Sequence, residues 1–289
     1  MTIKPKSSSE KCKICGEELS ENLKNCSTCK SDAGAPNVRA CQKPICVETL
    51  NLRFETAKNF ATKNKYSKIF DLFKIEIDKK SGVVISAPAD VIMSFFKDPK
   101  KIYVNYEKLV GNNSRKPAFS NDDQHRFAVG GKLFGCYANE IIYGALSLTD
   151  EGVPTYGQVF CRLKSNTIEK RTSFLETNSY KFIEEHKITA GKEIPIGFMS
   201  DWENKSKLTL AKLGNKIGLN DTDIEWQNIL IFSDGKNRSD DDFIEAYIFE
   251  SFDSKAINSL KLNKSIKVDI MFFKIANSIF KKNNKGGPI

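Results

Sequence analysis

Four cysteines near the start of the chain, in CKICGEELSENLKNCSTCK (residues 12–30), are spaced C-x2-C-x10-C-x2-C. Each pair aims two sulfurs inward from one tight turn. Two such turns face to face complete a tetrahedral four-sulfur site, which suits Zn2+. Gly16 directly follows the first pair and fits a turn that needs positive φ, whereas Lys30 stands at that place in the second. Cys12, Cys15, Cys26 and Cys29 are therefore the candidate metal ligands. A segment of roughly 35 residues cannot bury enough apolar surface to fold alone, so the expected role of the ion is structural. Cysteine fills all four positions, so the pattern leaves no place for a reactive water and argues against a catalytic zinc.

Residues 11 to 32 resemble a zinc ribbon. Cys41 and Cys46, spaced x4, come after it, and Cys136 and Cys161 lie far along the chain. A second ion would need further ligands, so Cys41 and Cys46 are expected as free buried thiols. The N-terminus, MTIKPKSSSEK, lacks an apolar segment of the kind a secretory signal carries, and no run of about 18 apolar residues occurs. The expectation is a cytoplasmic protein with no membrane span, whose paired cysteines ligate metal rather than form disulfides.

The 289 residues suffice for one large domain or two smaller ones, and 20 Phe supply large apolar area for a core. The formal net charge is +9, and the stretch from Lys261 to the end holds seven Lys against one acid. That excess favours polyanions, so nucleic acid or a protein surface is the candidate partner. Lys- and Asn-rich stretches throughout the chain (KNKYSK, KKNNKGG) also fit a simple solvating role.

The expected organisation is a flexible tail and zinc ribbon over residues 1–46, a helical linker over 47–80 and an α+β domain over 81–289. In the linker, Val47, Leu50, Phe54, Ala57 and Ala61 recur at helical spacing, whereas IFDLFKIEID fits strand or helix. Beyond Gly82, VVIS reads as a strand, and Ser86 as the cap of a helix beginning at PAD. KKIYVNYEKLV reads as helical, and Asn121 as a further cap. IIYGALSL, YGQVFCRLK and RTSFLE then read as strands, and NSYKFIEEH as a helix capped by Asn178 or Ser179. DWENKSKLTLAKLGNKIG is expected to be helical from Asp201. NILIFSD and DFIEAYIFES are expected to form a hairpin pair across GKNRSDD, and residues 266–280 an amphipathic helix. The fold class is α+β: a small zinc ribbon, a helical linker and a larger domain with a mainly antiparallel sheet in its C-terminal half.

Three clusters in the strand-rich half carry potential chemistry. They are the pairs Tyr143-Gly144 and Tyr156-Gly157, the run Arg171-Thr172-Ser173, and Glu245 within the apolar strand FIEAYIF. Strand alternation puts Phe243, Glu245 and Tyr247 on one face and Ile244, Ala246 and Ile248 on the other. Glu245 is then either a cleft residue or an exposed charge. No P-loop, dinucleotide fingerprint or G-x-S-x-G elbow is present, and the chain holds two histidines, His125 and His186.

The order of Arg126, then Thr172-Ser173, then Glu245 is similar to the layout of ADP-ribosyltransferases. The resemblance implies NAD as cofactor, Arg126, Arg171, Ser173 and Glu245 as catalytic candidates, and Tyr156 and Thr172 as cofactor contacts. The chain departs from that pattern at Phe243, where an acid or amide usually precedes the glutamate by two residues. The segments HRFAVGGKLFG, YGALSLTDEGVPTYG, RTSFLETNSY and DDFIEAYIFESFD also resemble a set of bacterial proteins of unassigned activity. A third reading is a metal-dependent nuclease built on Asp234, Asp240, Asp241 and Asp242.

Overall fold

A computed structural model of the protein describes residues 10–113, 128–189, 194–218, 223–263 and 270–284. Its centre is the sheet that the β-branched and aromatic runs announce. Strands β1 (Gly82–Ala87), β2 (Ile141–Ser147), β3 (Val159–Leu163), β4 (Thr172–Leu175), β5 (Met199–Asp201), β8 (Glu245–Phe249) and β9 (Ile257–Leu262) form one sheet in the order β5-β4-β8-β2-β1-β3-β9. Every pairing in it is antiparallel. Between β5 and β8 in sequence, β6 (Ile231–Phe232) and β7 (Asp242–Phe243) make a separate two-stranded ladder. The chain is thus α+β with an antiparallel sheet.

Alternation decides what each face of the sheet meets. Ile244, Ala246 and Ile248 join Val83 and Ile85 of β1 and Phe174 of β4 in the main core. Helices α2 (Pro44–Lys63), α3 (Ser67–Lys80) and α4 (Ala89–Lys97) feed that core, together with the helices Lys205–Leu213 and Ile270–Asn284. The segment read as a linker supplies Leu50, Phe54 and Ala61 from α2 and Phe70, Phe73 and Ile77 from α3, all buried in this cluster. IFDLFKIEID is helical throughout. The opposite face carries Ile141, Leu175, Tyr247 and Phe249, covered by Leu133, Phe134, Phe182 and, from α1 (Pro36–Cys41), Val38.

Three local expectations give way to sheet register. Ser86 does not cap a helix: it is drawn into β1 opposite Phe160, and Pro88 takes the N-cap position without a side-chain hydrogen bond. Asp201 does not open a helix, because it pairs with Ser173 at the end of β5, and the helix begins at Lys205. In KKIYVNYEKLV the helix is confined to α5 (Tyr106–Gly111), since Tyr103 bridges to Phe252 and Asn105 caps the turn after it. The Asn178 cap does form, its side chain accepting from Tyr180 N at 2.9 Å. Asn121 lies outside the described residues. No helix among the described residues is long and apolar enough to cross a membrane.

Gly157 has a φ of 155°, and a Cβ there would sit 2.2 Å from the Ala87 carbonyl carbon. The turn into β3 therefore packs directly on the end of β1. Gly144 is similarly confined, since a methyl group at its Cα would lie 2.8 Å from Val83 Cγ1.

Phe73 is fully buried, with its ring 5.3 Å from that of Trp226. Phe73→Ala is expected to lower unfolding free energy by about 3–5 kcal/mol. A linker residue outside the core would cost almost nothing, and urea unfolding followed by circular dichroism distinguishes the two.

Candidate functional site

The first of two candidate centres is the cysteine cluster. In the first knuckle Cys12 N donates to Glu17 O at 2.7 Å and Gly16 N to Cys12 O at 2.9 Å. In the second, Cys26 N donates to Ser31 O at 2.9 Å and Lys30 N to Cys26 O at 3.0 Å. The two turns share one geometry, because Lys30 adopts φ 62° where Gly16 has φ 77°. The Lys30 ammonium donates to Ser27 O at 2.7 Å, a local bond in a conformation that side chains ordinarily avoid.

All four sulfurs lie within 4.8 Å of one another. Cys12 and Cys29 are separated by 3.6 Å and Cys15 and Cys26 by 3.7 Å. A tetrahedron with Zn–S bonds of about 2.3 Å has edges of about 3.8 Å, so the cluster has the size of a zinc site. Its protonation chemistry points the same way. The Ser31 hydroxyl, and after it backbone N–H groups, pull the Cys12 thiol down to about 6. Ser31 also lowers Cys29. At Cys15 the Glu17 backbone bond pulls down, but desolvation and the other three sulfurs outweigh it and push the thiol up to about 12. Four thiolates this close repel one another, and a dication removes that conflict.

The second centre is a cavity of about 580 Å3 over the face of the sheet opposite the main core. Val84, Ser86, Tyr143, Ala145 and Glu245 form its floor, all pointing from β1, β2 and β8 to that side. Glu245 is 4 % exposed, so the carboxylate is a cavity residue and not a solvated charge. Its Oε2 accepts from the backbone N–H of Ser179 at 2.8 Å and from the Tyr247 hydroxyl at 3.0 Å. Burial, then the neighbouring Glu245, raises the Tyr247 hydroxyl well above its usual range, which keeps it a donor. Phe134 and Tyr143 meet the Tyr247 ring edge-on and fix it.

The rim is cationic and aromatic. The Arg238 guanidinium lies 5.2 Å from the centre of the Tyr156 ring, and Lys236 lines the same side. Asn178 Nδ2 donates to Tyr156 Oη at 3.1 Å and to Arg238 O at 3.2 Å, tying the rim loop to the wall. Across the cavity, Asn105 is 3 % exposed. Its Oδ1 accepts from Lys108 N at 2.9 Å, but its Nδ2 has no hydrogen-bond partner among the described residues. A buried amide donor on a cavity wall can serve an acceptor atom of a ligand.

Of the residues singled out from sequence, Tyr143, Tyr156 and Glu245 meet in this space. Arg171, Thr172 and Ser173 do not join them. Arg171 donates to the carbonyls of Phe249 and Glu250, the latter at 2.7 Å. Thr172 is fully buried, its hydroxyl donating to Ile168 O at 2.8 Å. Ser173, equally buried, accepts from Asn37 Nδ2 at 3.0 Å. All three are structural in these contacts. Arg126 and His125 lie outside the described residues.

The acidic cluster is likewise dispersed. Asp242 binds Lys212 and Thr177, Asp241 accepts from Thr155, and Asp234 accepts from Lys236 N at 2.8 Å. The cysteines are the metal-capable group found among the described residues. Asn105 and Arg238 escape the sequence reading, and Tyr247 enters it only as a neighbour of Glu245 on one strand face. Asn105 directly precedes a helical run, which is a legible cap signal, whereas nothing in the sequence marks Arg238.

Zinc-replete protein is expected to carry one ion per chain by elemental analysis. Cys15→Ser with Cys26→Ser should reduce this to less than a tenth and should expose residues 10–32 to limited proteolysis. Wild-type treated with a zinc chelator should be cut at the same places. No family model and no curated protein sequence matches the chain, so the two centres stand on their geometry alone.

Proposed function

We propose that the chain is a zinc-ribbon protein whose α+β domain binds a nucleotide carrying ribose and phosphate, of the NAD class, in the cavity above Glu245. The observation that carries this reading is the buried Glu245 carboxylate, fixed by the Ser179 N–H and the Tyr247 hydroxyl on the cavity floor. A carboxylate so placed accepts hydrogen bonds from vicinal ribose hydroxyls. Lys236 and Arg238 at the rim neutralise phosphate, and Tyr143 and Tyr156 offer ring faces and hydroxyls along the way. The Asn105 amide donates to an acceptor on the base or the sugar. The cavity volume falls within the roughly 300–1,000 Å3 of small-molecule sites.

Such a site also suits glycosidic chemistry on NAD. When nicotinamide departs, positive charge develops on the ribose ring, and a preorganised carboxylate on the cavity floor stabilises it. ADP-ribosyl transfer of this kind, to a nucleophile on a macromolecular target, would rest on Glu245 and the cavity tyrosines, with Thr172 and Ser173 in supporting positions on β4 and Arg171 directly before it. The alternative of a non-catalytic nucleic-acid or protein module draws less support from the ribbon, where residues 10–32 carry four Lys against five acids.

Calorimetric titration of the zinc-loaded protein with NAD, ADP-ribose and ADP tests the reading. NAD and ADP-ribose are expected to bind, with affinity at least tenfold weaker in Glu245→Gln and in Arg238→Ala. Release of free nicotinamide, abolished by Glu245→Gln, would establish the transfer reaction. Absence of binding by all three compounds, alongside salt-sensitive binding of mixed DNA and RNA, would replace this reading with the nucleic-acid one.

A further inference from the structure

The ribbon is wired into the cavity floor. Arg39 of α1 is 7 % exposed and reaches back into the loop between the two knuckles. There its guanidinium donates to Ser20 O at 2.6 Å and to Leu23 O at 3.0 Å, and it pairs with Glu10 at 3.4 Å. Two residues earlier on the same helix, Asn37 is 1 % exposed and points the other way, into the sheet. Its Nδ2 donates to Tyr247 O at 2.9 Å and to Ser173 Oγ at 3.0 Å, with Arg171 O at 3.4 Å. Tyr247 is the residue whose hydroxyl holds Glu245. A second tie runs alongside: Lys24, in the ribbon, pairs at 3.0 Å with Glu250, the residue directly after β8.

We infer that Asn37 is a positioning residue for the cavity, and that α1 couples metal occupancy of the ribbon to the placement of Glu245. The six-residue α1 is too short to hold its own shape in water, so its orientation is set by the contacts on its two sides. On one side the knuckle loop offers its carbonyls to Arg39 only while the four sulfurs are gathered. On the other, a buried amide has three acceptors arranged around one nitrogen. If the loop spreads on metal loss, Arg39 loses its acceptors and becomes a buried unpaired cation, which is strongly unfavourable. Helix α1 then shifts to hydrate it, and Asn37 leaves Tyr247. Coupling between sites is reciprocal, so a ligand that needs Glu245 in place also tightens zinc binding.

The coupling rests on the reading of the cavity as a ligand site for its purpose but not for its test. Hydrogen exchange is measured on the full chain, zinc-loaded and chelator-treated, and on zinc-loaded Asn37→Ala and Arg39→Gln. Chelation and both substitutions are expected to speed exchange at the Ser179 amide and through residues 245–249 by at least tenfold. Exchange in β3 and β9, at the far side of the sheet, should stay unchanged. A uniform rise across the whole sheet, or no change at Ser179 and β8, would overturn the inference. In parallel, transfer of zinc to a chromogenic chelator is timed with and without NAD, and at least a threefold slowing by NAD is expected. Should NAD fail to bind while the exchange response persists, the nucleotide reading falls and the coupling stands. Should NAD bind without slowing zinc release and without an exchange response, the coupling falls and the nucleotide reading stands.

Discussion

A carboxylate placed on an inner strand of a sheet has to be compensated where it stands, and much of this molecule is arranged around that requirement at Glu245. Strand β8 lies between β4 and β2, with an apolar core beneath it. An ionised side chain on such a strand is tolerable only with donors close by, because water does not reach it in quantity. The donors come from a helix start and from the same strand two residues on. The Asn178 cap, the packing of Phe134 on Tyr247 and the seating of Phe182 all serve to bring those donors to Glu245. The cavity is the space left by covering this face at its ends and not over its middle.

The features legible in the sequence are those whose determining physics is local. The knuckles are local: a Cys pair and its turn specify their own geometry, and their spacing suits one kind of ion. Strand alternation is local too, so the two faces of FIEAYIF can be assigned from residue order alone. Ser86 and Asp201 mislead because capping preference is weak beside a strand pairing worth several hydrogen bonds, and that pairing depends on residues about 75 and 30 positions away. The functional triplet is harder still. Arg171, Thr172 and Ser173 carry reactive groups, yet each is consumed by a carbonyl or amide that only the tertiary fold brings near. Conversely, Asn105 and Arg238 flank the cavity because of loops whose course no periodicity encodes.

The cysteine cluster plays a different part from the cavity. Its sulfurs hold together a stretch whose own apolar cluster is Cys12, Leu19 and Cys26, far too small to maintain a fold. Rigidity there is useful only if something is fastened to it, and the contacts of Arg39 and Lys24 are the fastening. The same segment that looks peripheral in sequence is thereby in mechanical continuity with the centre of the sheet.

The two Tyr-Gly pairs have an implication for shape selectivity. Each glycine lets neighbouring chain press close beneath a tyrosine that faces the cavity, and neither position has room even for a methyl group. The backbone beneath Tyr143 on the floor and beside Tyr156 at the rim is consequently inextensible. A bulkier guest gains no space by pushing downward, and accommodation has to come from the rim around residues 234–239, most of which are open to solvent. On the proposed reading of the cavity as a ligand site, discrimination between molecules of similar chemistry but different depth is built into the backbone, while tolerance toward varied outer portions is left to the loop.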